Sequence, residues 1–386
     1  MKVLYTTGHA LWLAGDGRPV ELPSYRAHQY QATIDQIQTS KAWKTTGRGA
    51  QFMGMEQEEP EGREIQPDFG GIALYRDEIL YSLNLDASGG LYRRDFEEKA
   101  NPEGHIVSGS GLRIGELALH GDDLVACLRY PNGQSHIGVY KLPSSACDEI
   151  TGGDSVESAP SWSQDGRRIL FSTCGIARSD RGMLYSPKSI AEYNIHSQRM
   201  DTILEDEKTD YLAPKEDADG NLWYIRQPYD AGGEKADFGS ILLDILLFPV
   251  RLLKAIGGFL NAFSVLFGGE SLGANSRQSR DVKSMQKSEK EIFYENMLIR
   301  AEQNAKENER SGDEFPGILP RSRVLVKRSA DGQEEIIARS VLDYCLCKDG
   351  VVWSNGSHIL HKGTDGKTAE IAKAKLAARL QCVEEV

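Results

Sequence analysis

Two cysteines separated by a single leucine, Cys345 and Cys347, are the closest pair of potential metal or redox ligands in the chain. Side chains two positions apart on a β-strand point to the same face, so both thiols would lie together. Such a pair could be half of a metal site or a redox pair. No second cysteine pair follows at the spacing of a structural zinc site. We therefore favour two small core residues, and the sequence predicts no metal site and no cofactor.

The eight histidines do not form a recognisable catalytic motif. There is no His-Glu-x-x-His pattern and no Gly-x-Ser-x-Gly nucleophile turn. His358 and His361 lie three positions apart on a predicted strand, where they would face opposite sides. The sequence thus predicts no catalytic residue, although residues from separate repeats could still assemble one.

The charge balance excludes one class of partner. The 386-residue chain has 45 Lys and Arg against 57 Asp and Glu, a formal net charge of −12. Surfaces that bind nucleic acids need clustered cations, so we predict no nucleic-acid partner. The stretch from Met1 to His9 is interrupted by Thr, Gly and His and does not resemble a signal peptide, so we expect a cytoplasmic protein.

A tight turn followed by an apolar strand recurs along the chain. In the clearest copy, Asp165-Gly166 precedes Ile169-Leu170-Phe171. Most copies are about 40 to 55 residues apart, which is typical of β-propeller blades with four strands each. The turn residues that mark the predicted blades are Asp77, Asp123, Asp165, Gly166, Asp219, Gly220, Asp349 and Gly350.

The two chain ends supply a further blade beside the five that these turns mark. Three short strands lie within residues 3–22, and a fourth candidate lies at residues 377–383. Joining them would close the ring and remove two exposed sheet edges. We therefore predict an all-β fold, a six-bladed β-propeller that forms a single domain over residues 1–386.

The copy around Asp165 resembles the PD40 or TolB-like propeller repeat. Residues 160–166 read Pro-Ser-Trp-Ser-Gln-Asp-Gly, where the repeat has Pro-x-Trp-Ser-Pro-Asp-Gly. Only Gln164 departs from this pattern, and the other copies match it less closely. The resemblance implies a TolB-like propeller over most of the chain.

Two segments depart from the repeat. Residues 24–46 are too long and polar for a blade loop, and the spacing of their apolar residues predicts a short helix. Residues 231–320 interrupt blade five and are predicted to be an α-helical insertion. Within it, residues 276–310 are rich in charged residues and predict a solvated helix with a few apolar anchors, Ile292, Phe293, Met297 and Leu298.

The first half of the insertion, residues 238–268, is the most hydrophobic stretch of the chain. Its charged residues Asp244, Arg251 and Lys254 would fall on one narrow stripe of an amphipathic helix. A membrane-spanning helix would bury both cations, whereas an in-plane helix or a protein-bound helix would not. The residues predicted to bind a partner or a membrane are Leu242, Leu246, Phe248, Leu253, Ile256, Phe259, Leu260 and Phe263.

Three alternatives could cover this apolar face: the propeller itself, a protein partner or second copy of the chain, or a membrane. An exposed apolar patch of this size is unusual in a soluble monomer. We therefore predict a non-enzymatic interaction or scaffold protein that docks through residues 238–268, with peripheral membrane contact as a weaker variant. The alternative is a hydrolase or lyase with an active site at the channel mouth and the insertion as its lid.

Overall fold

The computed structural model describes residues 1–15, 17–45, 66–86, 88–96, 103–179, 182–229, 292–294 and 297–383. Within these residues the chain forms 27 strands and two helices. The fold is therefore mainly β, as the recurring hairpin pattern predicts.

The first and last strands of the chain belong to one antiparallel sheet, sheet I. Its strand order is β27–β1–β2–β3, and Val3 pairs with Cys382. The strands are β1 (Lys2–Thr6), β2 (Leu11–Ala14), β3 (Val20–Glu21) and β27 (Ala378–Val383).

Apart from one two-stranded hairpin in the insertion, the intervening strands form five further antiparallel groups, sheets II to VI, in chain order. Sheet II contains β4 (Asp68–Tyr75), β5 (Glu78–Asn84), β6 (Ser88–Asp95) and β7 (Glu103–Ser110). Sheet III contains β8 (Ile114–His120), β9 (Asp123–Arg129), β10 (Ser135–Lys141) and β11 (Cys147–Glu149). Sheet IV contains β12 (Ser155–Trp162), β13 (Arg168–Ser179), β15 (Ser189–Asn194) and β16 (Arg199–Leu204), and β14 (Gly182–Tyr185) extends β13. One parallel pair, Ser135 with Val156, links sheets III and IV into a nine-stranded sheet.

The last two groups are sheets V and VI. Sheet V contains β17 (Thr209–Glu216), β18 (Leu222–Pro228), β21 (Val324–Arg328) and β22 (Glu334–Arg339). Sheet VI contains β23 (Asp343–Cys347), β24 (Gly350–Ser354), β25 (His358–Gly363) and β26 (Thr368–Lys373).

The first strands of successive sheets contact one another in a cyclic order. Strand β27 contacts β4, β4 contacts β8, β8 contacts β12, β12 contacts β17, and β23 contacts β27. Sheets V and VI meet through Tyr344, whose hydroxyl donates to the Ala213 carbonyl at 2.7 Å. The Tyr344 carbonyl in turn accepts from Lys215 Nζ at 2.8 Å.

The hydrophobic core is divided among the junctions between successive sheets. Each junction contains its own cluster of buried side chains, so every sheet is covered on both faces by a neighbour. Representative buried pairs are Leu4 and Tyr81 (I/II), Leu80 and Leu124 (II/III), Val125 and Phe171 (III/IV), Ile190 and Tyr224 (IV/V), Leu325 and Tyr344 (V/VI), and Val352 and Leu380 (VI/I).

The turn residues singled out in the sequence lie where the first strand of a sheet connects to the second. Asp165 accepts hydrogen bonds from Ser163 Oγ and Arg167 N, and Gly166 adopts a φ of 66° that suits a residue without a Cβ. Gly220 has a similar φ of 78°. Asp77, Asp123, Asp219, Asp349 and Gly350 occupy the corresponding connections of sheets II, III, V and VI.

Helix α1 (Tyr25–Thr45) occupies the polar segment between sheets I and II. Its N-terminus is capped twice. Ser24 Oγ accepts from Ala27 N at 3.1 Å, and the Glu103 carboxylate accepts from Tyr25 N at 3.0 Å and Arg26 N at 2.7 Å. These bonds satisfy backbone donors that have no partner inside a helix. At 21 residues, α1 is longer than a short helical excursion.

Part of the insertion differs from the predicted helix. In the described part of the insertion, β19 (Ile292–Tyr294) pairs with β20 (Met297–Ile299), and α2 (Ala301–Arg310) is helical. The prediction of one helix over residues 276–310 is therefore wrong for the hairpin. Ile292 pairs with Ile299 across it, because branched and aromatic residues favour strands. The predicted helix over residues 238–268 lies outside the described residues.

Among the described residues, neither helix is both long and apolar enough to cross a membrane.

Candidate functional site

A polar cluster occupies the junction between sheets III and IV. His136 of β10 has its Nε2 atom 3.0 Å from the Gly153 carbonyl and its Nδ1 atom 2.5 Å from a Glu149 carboxylate oxygen. A carbonyl oxygen only accepts, so Nε2 donates to it, and an ionised carboxylate also only accepts. Both ring nitrogens of His136 therefore have a hydrogen-bond partner. The ring is held from both sides in one orientation.

Two carboxylates near this imidazole have pKa values shifted in opposite directions. Burial alone would raise the pKa of Glu149, but hydrogen bonds from Tyr130 and His136 outweigh it and lower that pKa below its ordinary value. Burial raises the pKa of Glu157, which is 4% exposed and accepts a hydrogen bond from Thr173. Carboxylates in contrasting environments are typical of acid–base pairs. The two carboxyl groups therefore differ in how strongly their surroundings favour the ionised form.

The exposed part of this cluster is Glu149 and Tyr130. The Glu149 side chain is 39% exposed, whereas the His136 side chain is 10% exposed. The Tyr130 hydroxyl donates to Glu149 at 2.8 Å, and its ring packs against the imidazole at a centroid distance of 5.1 Å. A small polar molecule would therefore meet Tyr130 and Glu149 before it reached His136.

A second charged cluster joins sheets I, II and III at their first strands. Glu116 of β8 lies 3.0 Å from Arg379 of β27 and 3.3 Å from Arg129 of β9. Arg129 also lies 3.8 Å from Asp68 of β4, and Arg379 Nε donates to the Gly70 carbonyl at 2.8 Å. Burial raises the pKa of Glu116, but the two guanidinium groups outweigh burial and lower it to about 2. Two carboxylates and two guanidinium groups balance in charge, so we assign this cluster to the stability of the junctions.

Three cysteines meet between sheets I and VI. Cys345 and Cys347 lie on the same face of β23, and Cys382 of β27 lies opposite. Cys347 and Cys382 form a disulfide with a Cα–Cα distance of 6.1 Å, and Cys345 Sγ lies 3.2 Å from Cys382 Sγ. The three sulfur atoms lie within 4.8 Å of one another. Among the described His, Cys, Asp and Glu side chains, they form the one group placed closely enough to hold a metal ion.

Two cavities border the outer strand of sheet V. One has a volume of about 370 Å³ and is lined by Phe315 and Trp353, among others. The other has a volume of about 290 Å³ and is lined by Pro228 and Ser322, close to where the chain leaves and re-enters the sheet. Ile336, which is 41% exposed, lines both. The described residues at both ends of the insertion therefore border two cavities that open to the surface.

The site residues predicted from the sequence do not lie in the clusters described above. The predicted turn residues take no part in the His136, Glu116 or Cys345 clusters. The residues predicted to bind a partner or a membrane lie outside the described residues: Leu242, Leu246, Phe248, Leu253, Ile256, Phe259, Leu260 and Phe263.

Sequence reasoning did not identify the partners of His136 and of the cysteine pair. Glu149 reaches His136 through the hairpin of β10 and β11, in which Gly138 pairs with Glu149. Pairing of these strands is the signal that could have revealed the contact. Cys382 reaches Cys345 because strand β27 pairs with β1 in sheet I beside sheet VI. The sequence predicts that the strand at residues 377–383 joins the N-terminal strands, but not that Cys382 meets the cysteine pair.

No protein-family model matches this sequence, and no curated protein matches it. Its fold is similar to that of TolB from Acinetobacter baumannii, with 11% identity, a TM-score of 0.48, and coverage of 98% of this chain and 65% of that one. A putative TolB from Agrobacterium tumefaciens has 12% identity, a TM-score of 0.35, and coverage of 60% and 72%. A protein from Lactobacillus plantarum has 9% identity, a TM-score of 0.43, and coverage of 99% of both chains. The chain thus spans about two thirds of the length of the Acinetobacter protein.

Proposed function

We propose that this chain is a six-bladed β-propeller that acts as a non-enzymatic interaction platform, and that residues 231–320 present its docking element for a protein partner. Two observations support six blades. Six four-stranded groups are separated by six core clusters, and the first strands contact one another in an order that returns to its start. Six sheets in a row would have five junctions, whereas six sheets in a ring have six.

The attachment of the insertion's returning segment, residues 299–320, carries the docking proposal. Asn308 of α2 is fully buried, and its Nδ2 group donates to the Gly317 carbonyl at 2.7 Å and the Leu319 carbonyl at 3.0 Å. Its Oδ1 atom accepts from Ser340 Oγ at 3.1 Å. A buried amide is stable only when its donors and acceptor are paired. Three hydrogen bonds therefore hold this segment in one position.

Apolar contacts hold the same segment against two sheets. Ile299, Ala301 and Leu319 pack against Leu342, at the start of sheet VI, and Ala378 of β27. All five are buried, with relative exposures of 7% or less. We call residues 299–320 the mount, because they fix one end of the insertion to the body of the protein.

The other end of the insertion is fixed as well. Tyr229, which follows β18, donates from its backbone N to the Lys208 carbonyl at 2.8 Å and from its hydroxyl to the Tyr185 carbonyl at 2.5 Å. The apolar stretch of residues 238–268 thus lies between two anchored points. Anchoring at both ends lowers the conformational entropy that binding must remove.

A protein partner is favoured over a membrane for two electrostatic reasons. Residues 238–268 contain Asp244, Arg251 and Lys254, whose burial in a bilayer is unfavourable. The net charge of −12 also repels the anionic lipids that attract peripheral proteins. The eight apolar residues from Leu242 to Phe263 would then contact an apolar groove of a partner.

The test is affinity purification of the tagged full chain and of a variant in which a Gly-Ser linker replaces residues 238–268 and leaves the mount intact. Leu298→Ser serves as the matched control, because Leu298 is 52% exposed but lies outside the stretch. We expect the full chain and the control to retain the same stoichiometric partner and the deletion to lose it. Retention of that partner by the deletion variant would refute the docking role.

The His136 cluster supports a second candidate, a hydrolase or lyase at the junction of sheets III and IV. A histidine between a carboxyl group of lowered pKa, Glu149, and one of raised pKa, Glu157, is an acid–base arrangement. The test is turnover of a panel of chromogenic esters and glycosides by the wild type, His136→Asn and Glu157→Gln. An enzyme at this site predicts that each substitution lowers turnover by about 100-fold or more. Equal rates in all three proteins would remove the candidate.

A further inference from the structure

The three cysteines lie at the junction where the two ends of the chain meet. Cys345 and Cys347 belong to β23 of sheet VI, whereas Cys382 belongs to β27, which pairs with β1 in sheet I. The Cys347–Cys382 disulfide is thus a covalent link between neighbouring sheets at the closure of the chain. Cys345 is 3% exposed and Cys382 is 6% exposed, while Cys347 is only partly buried.

A purely structural disulfide between Cys347 and Cys382 does not require a third cysteine, yet Cys345 lies beside it. Its sulfur lies 3.2 Å from Cys382 Sγ, so a third thiol contacts one end of the existing bond. A cysteine in this position can exchange with a disulfide when its thiol loses its proton and the thiolate attacks the nearer sulfur. The other three free cysteines among the described residues, Cys127, Cys147 and Cys174, lie in sheets III and IV, away from the disulfide between sheets I and VI.

The same distance disfavours a metal site. Two thiolates bound to one tetrahedral zinc ion at about 2.3 Å would be about 3.8 Å apart. The separation of 3.2 Å is too short for that geometry. The surroundings are also apolar, since Val3, Val352 and Leu380 pack around the cysteines. A disulfide and a protonated thiol are neutral, whereas three thiolates around one Zn²⁺ ion would leave a net negative charge in this core.

We propose that Cys345, Cys347 and Cys382 form a thiol–disulfide exchange site in which Cys382 alternates its partner between Cys347 and Cys345. In the exchange, the Cys345 sulfur gives up its proton and bonds to Cys382 Sγ. The Cys347–Cys382 bond breaks, and its electron pair leaves with the Cys347 sulfur, which takes up the proton. No net oxidation occurs, and the free thiol moves from the buried to the partly exposed position.

Oxidation of the reduced site would begin at Cys347. Burial raises the pKa of Cys345 to about 12, so Cys345 is a protonated thiol at neutral pH, while Cys347 has access to solvent. Cys347 attacks a low-molecular-weight disulfide such as glutathione disulfide and releases one glutathione thiol. Cys382 then attacks the Cys347 sulfur of the mixed disulfide and releases the second glutathione thiol. Two protein thiols are oxidised and one small disulfide is reduced.

The chain permits a direct assay by peptide mapping. Trypsin cleaves after Arg339, Lys348 and Arg379, so Cys345 and Cys347 share the peptide 340–348, and Cys382 lies in the peptide 380–386. The folded full-length protein is equilibrated in a glutathione redox buffer, alkylated, digested without reductant and fragmented in a mass spectrometer. We expect the two peptides to be linked, with linkage of Cys382 to both Cys345 and Cys347 in one sample. Linkage to Cys347 alone, or full alkylation of all three cysteines, would overturn the proposal.

Single substitutions separate exchange from a fixed disulfide. We expect Cys347→Ser to retain a linkage to Cys382 through Cys345, and Cys345→Ser to retain only the linkage to Cys347. Cys174→Ser, a buried cysteine of sheet IV, is the matched control and should leave the wild-type linkages unchanged. A free Cys382 in folded Cys347→Ser, or one equivalent of zinc bound to the reduced wild type, would also overturn the proposal.

Discussion

Side chains on the second strands of several sheets bond directly to the backbone of the next sheet. Asn84 of β5 accepts from Ile114 N at 3.0 Å and donates to the Ile114 carbonyl at 2.9 Å, as a backbone peptide would. Ser82 donates to the Gly115 carbonyl, and Ser172 of β13 accepts from Ala213 N. These residues are buried, so each bond also removes an unpaired backbone group from the core. Ser82 and Ser172 each follow three buried apolar residues within their strands, Ile79 to Tyr81 and Ile169 to Phe171.

Removal of the Glu116 charge should destabilise the protein and change its acid sensitivity. Replacement of Glu116 by Gln leaves Arg129 and Arg379 partly uncompensated, and we expect the free energy of unfolding at neutral pH to fall by about 3–5 kcal/mol. The folded pKa of Glu116, about 2, lies below its ordinary value of 4.5. Its stabilisation is therefore present above pH 4.5 and is lost as the pH falls toward 2.

Urea unfolding at a series of pH values measures this difference. The wild type should lose more stability than Glu116→Gln between pH 4.5 and 2, so that the two curves converge. If the two curves of unfolding free energy against pH stayed parallel over that interval, the two guanidinium groups would not lower the pKa of Glu116 in the folded protein.

Truncation of Asn308 should weaken the mount. Asn308→Ala leaves the Gly317 and Leu319 carbonyls and the Ser340 hydroxyl without their partner, and we expect a loss of about 2–4 kcal/mol in unfolding free energy. Asn304→Ala is the matched control, because Asn304 makes one comparable bond, to the Ile318 carbonyl at 2.9 Å. It should cost about 1 kcal/mol in denaturant unfolding. Equal losses for both variants would contradict the special role of Asn308.

At the scale of elements, the first strands of five sheets share a register shift against their neighbours. The shifts lie at Phe69/Gly71 of β4, Ile114/Leu117 of β8, Ser158/Ser161 of β12 and Leu212/Lys215 of β17, and β27 has one opposite Leu4/Thr6. A bulge bends a strand and increases its twist. Strands that must face one another around a common centre need such bends.

Two of these bulges contain the same dipeptide, alanine followed by proline. Ala159 precedes Pro160 and Ala213 precedes Pro214, and both alanines adopt positive φ, 50° and 51°. An L-residue with a Cβ is unfavourable in this conformation by roughly 1–2 kcal/mol. Glycine removes that penalty but loses more chain entropy on folding.

Glycine at these positions should therefore stabilise the fold. We expect Ala213→Gly to raise the free energy of unfolding by about 0.5–1 kcal/mol, since relief of the backbone outweighs the added entropy of the unfolded chain. Ala73→Gly is the control, because Ala73 is buried on β4 without a positive φ. It should lower stability by about 1 kcal/mol or more in the same unfolding assay. Destabilisation by Ala213→Gly would contradict the backbone argument.

Local chemistry made the hairpins predictable, whereas contacts between distant strands were not. Asp165-Gly166 predicts a turn because Gly tolerates positive φ and the Asp carboxylate accepts a hydrogen bond from the backbone N–H two residues later. Both effects act within four residues. The next turn depends instead on Asp217, which accepts from Asn221 N and Trp223 Nε1, although Asp219 is the residue next to glycine. Cys382 and Glu149 join their sites only through strand pairing, which residue spacing does not encode.

At the scale of the whole molecule, the chain ends and the insertion have different roles. Strand β27 pairs with β1 and contacts both β4 and β23, so it joins sheet I to its two neighbours. The insertion leaves from the second strand of sheet V and returns to the third without breaking their pairing, as Tyr224 still pairs with Val326. The fold therefore tolerates this long excursion because both flanking strands remain part of one sheet.

The most direct test of the docking account is light scattering coupled to size-exclusion chromatography, applied to the full chain and to the variant that lacks residues 238–268 but keeps the mount. The account predicts that the full chain elutes as an oligomer or with its partner, whereas the deletion variant is a folded monomer with the same β-rich circular dichroism spectrum. If the full chain and the deletion variant were both monodisperse monomers with no partner bound, the result would contradict the account. The apolar stretch would then be covered by the body of the protein itself.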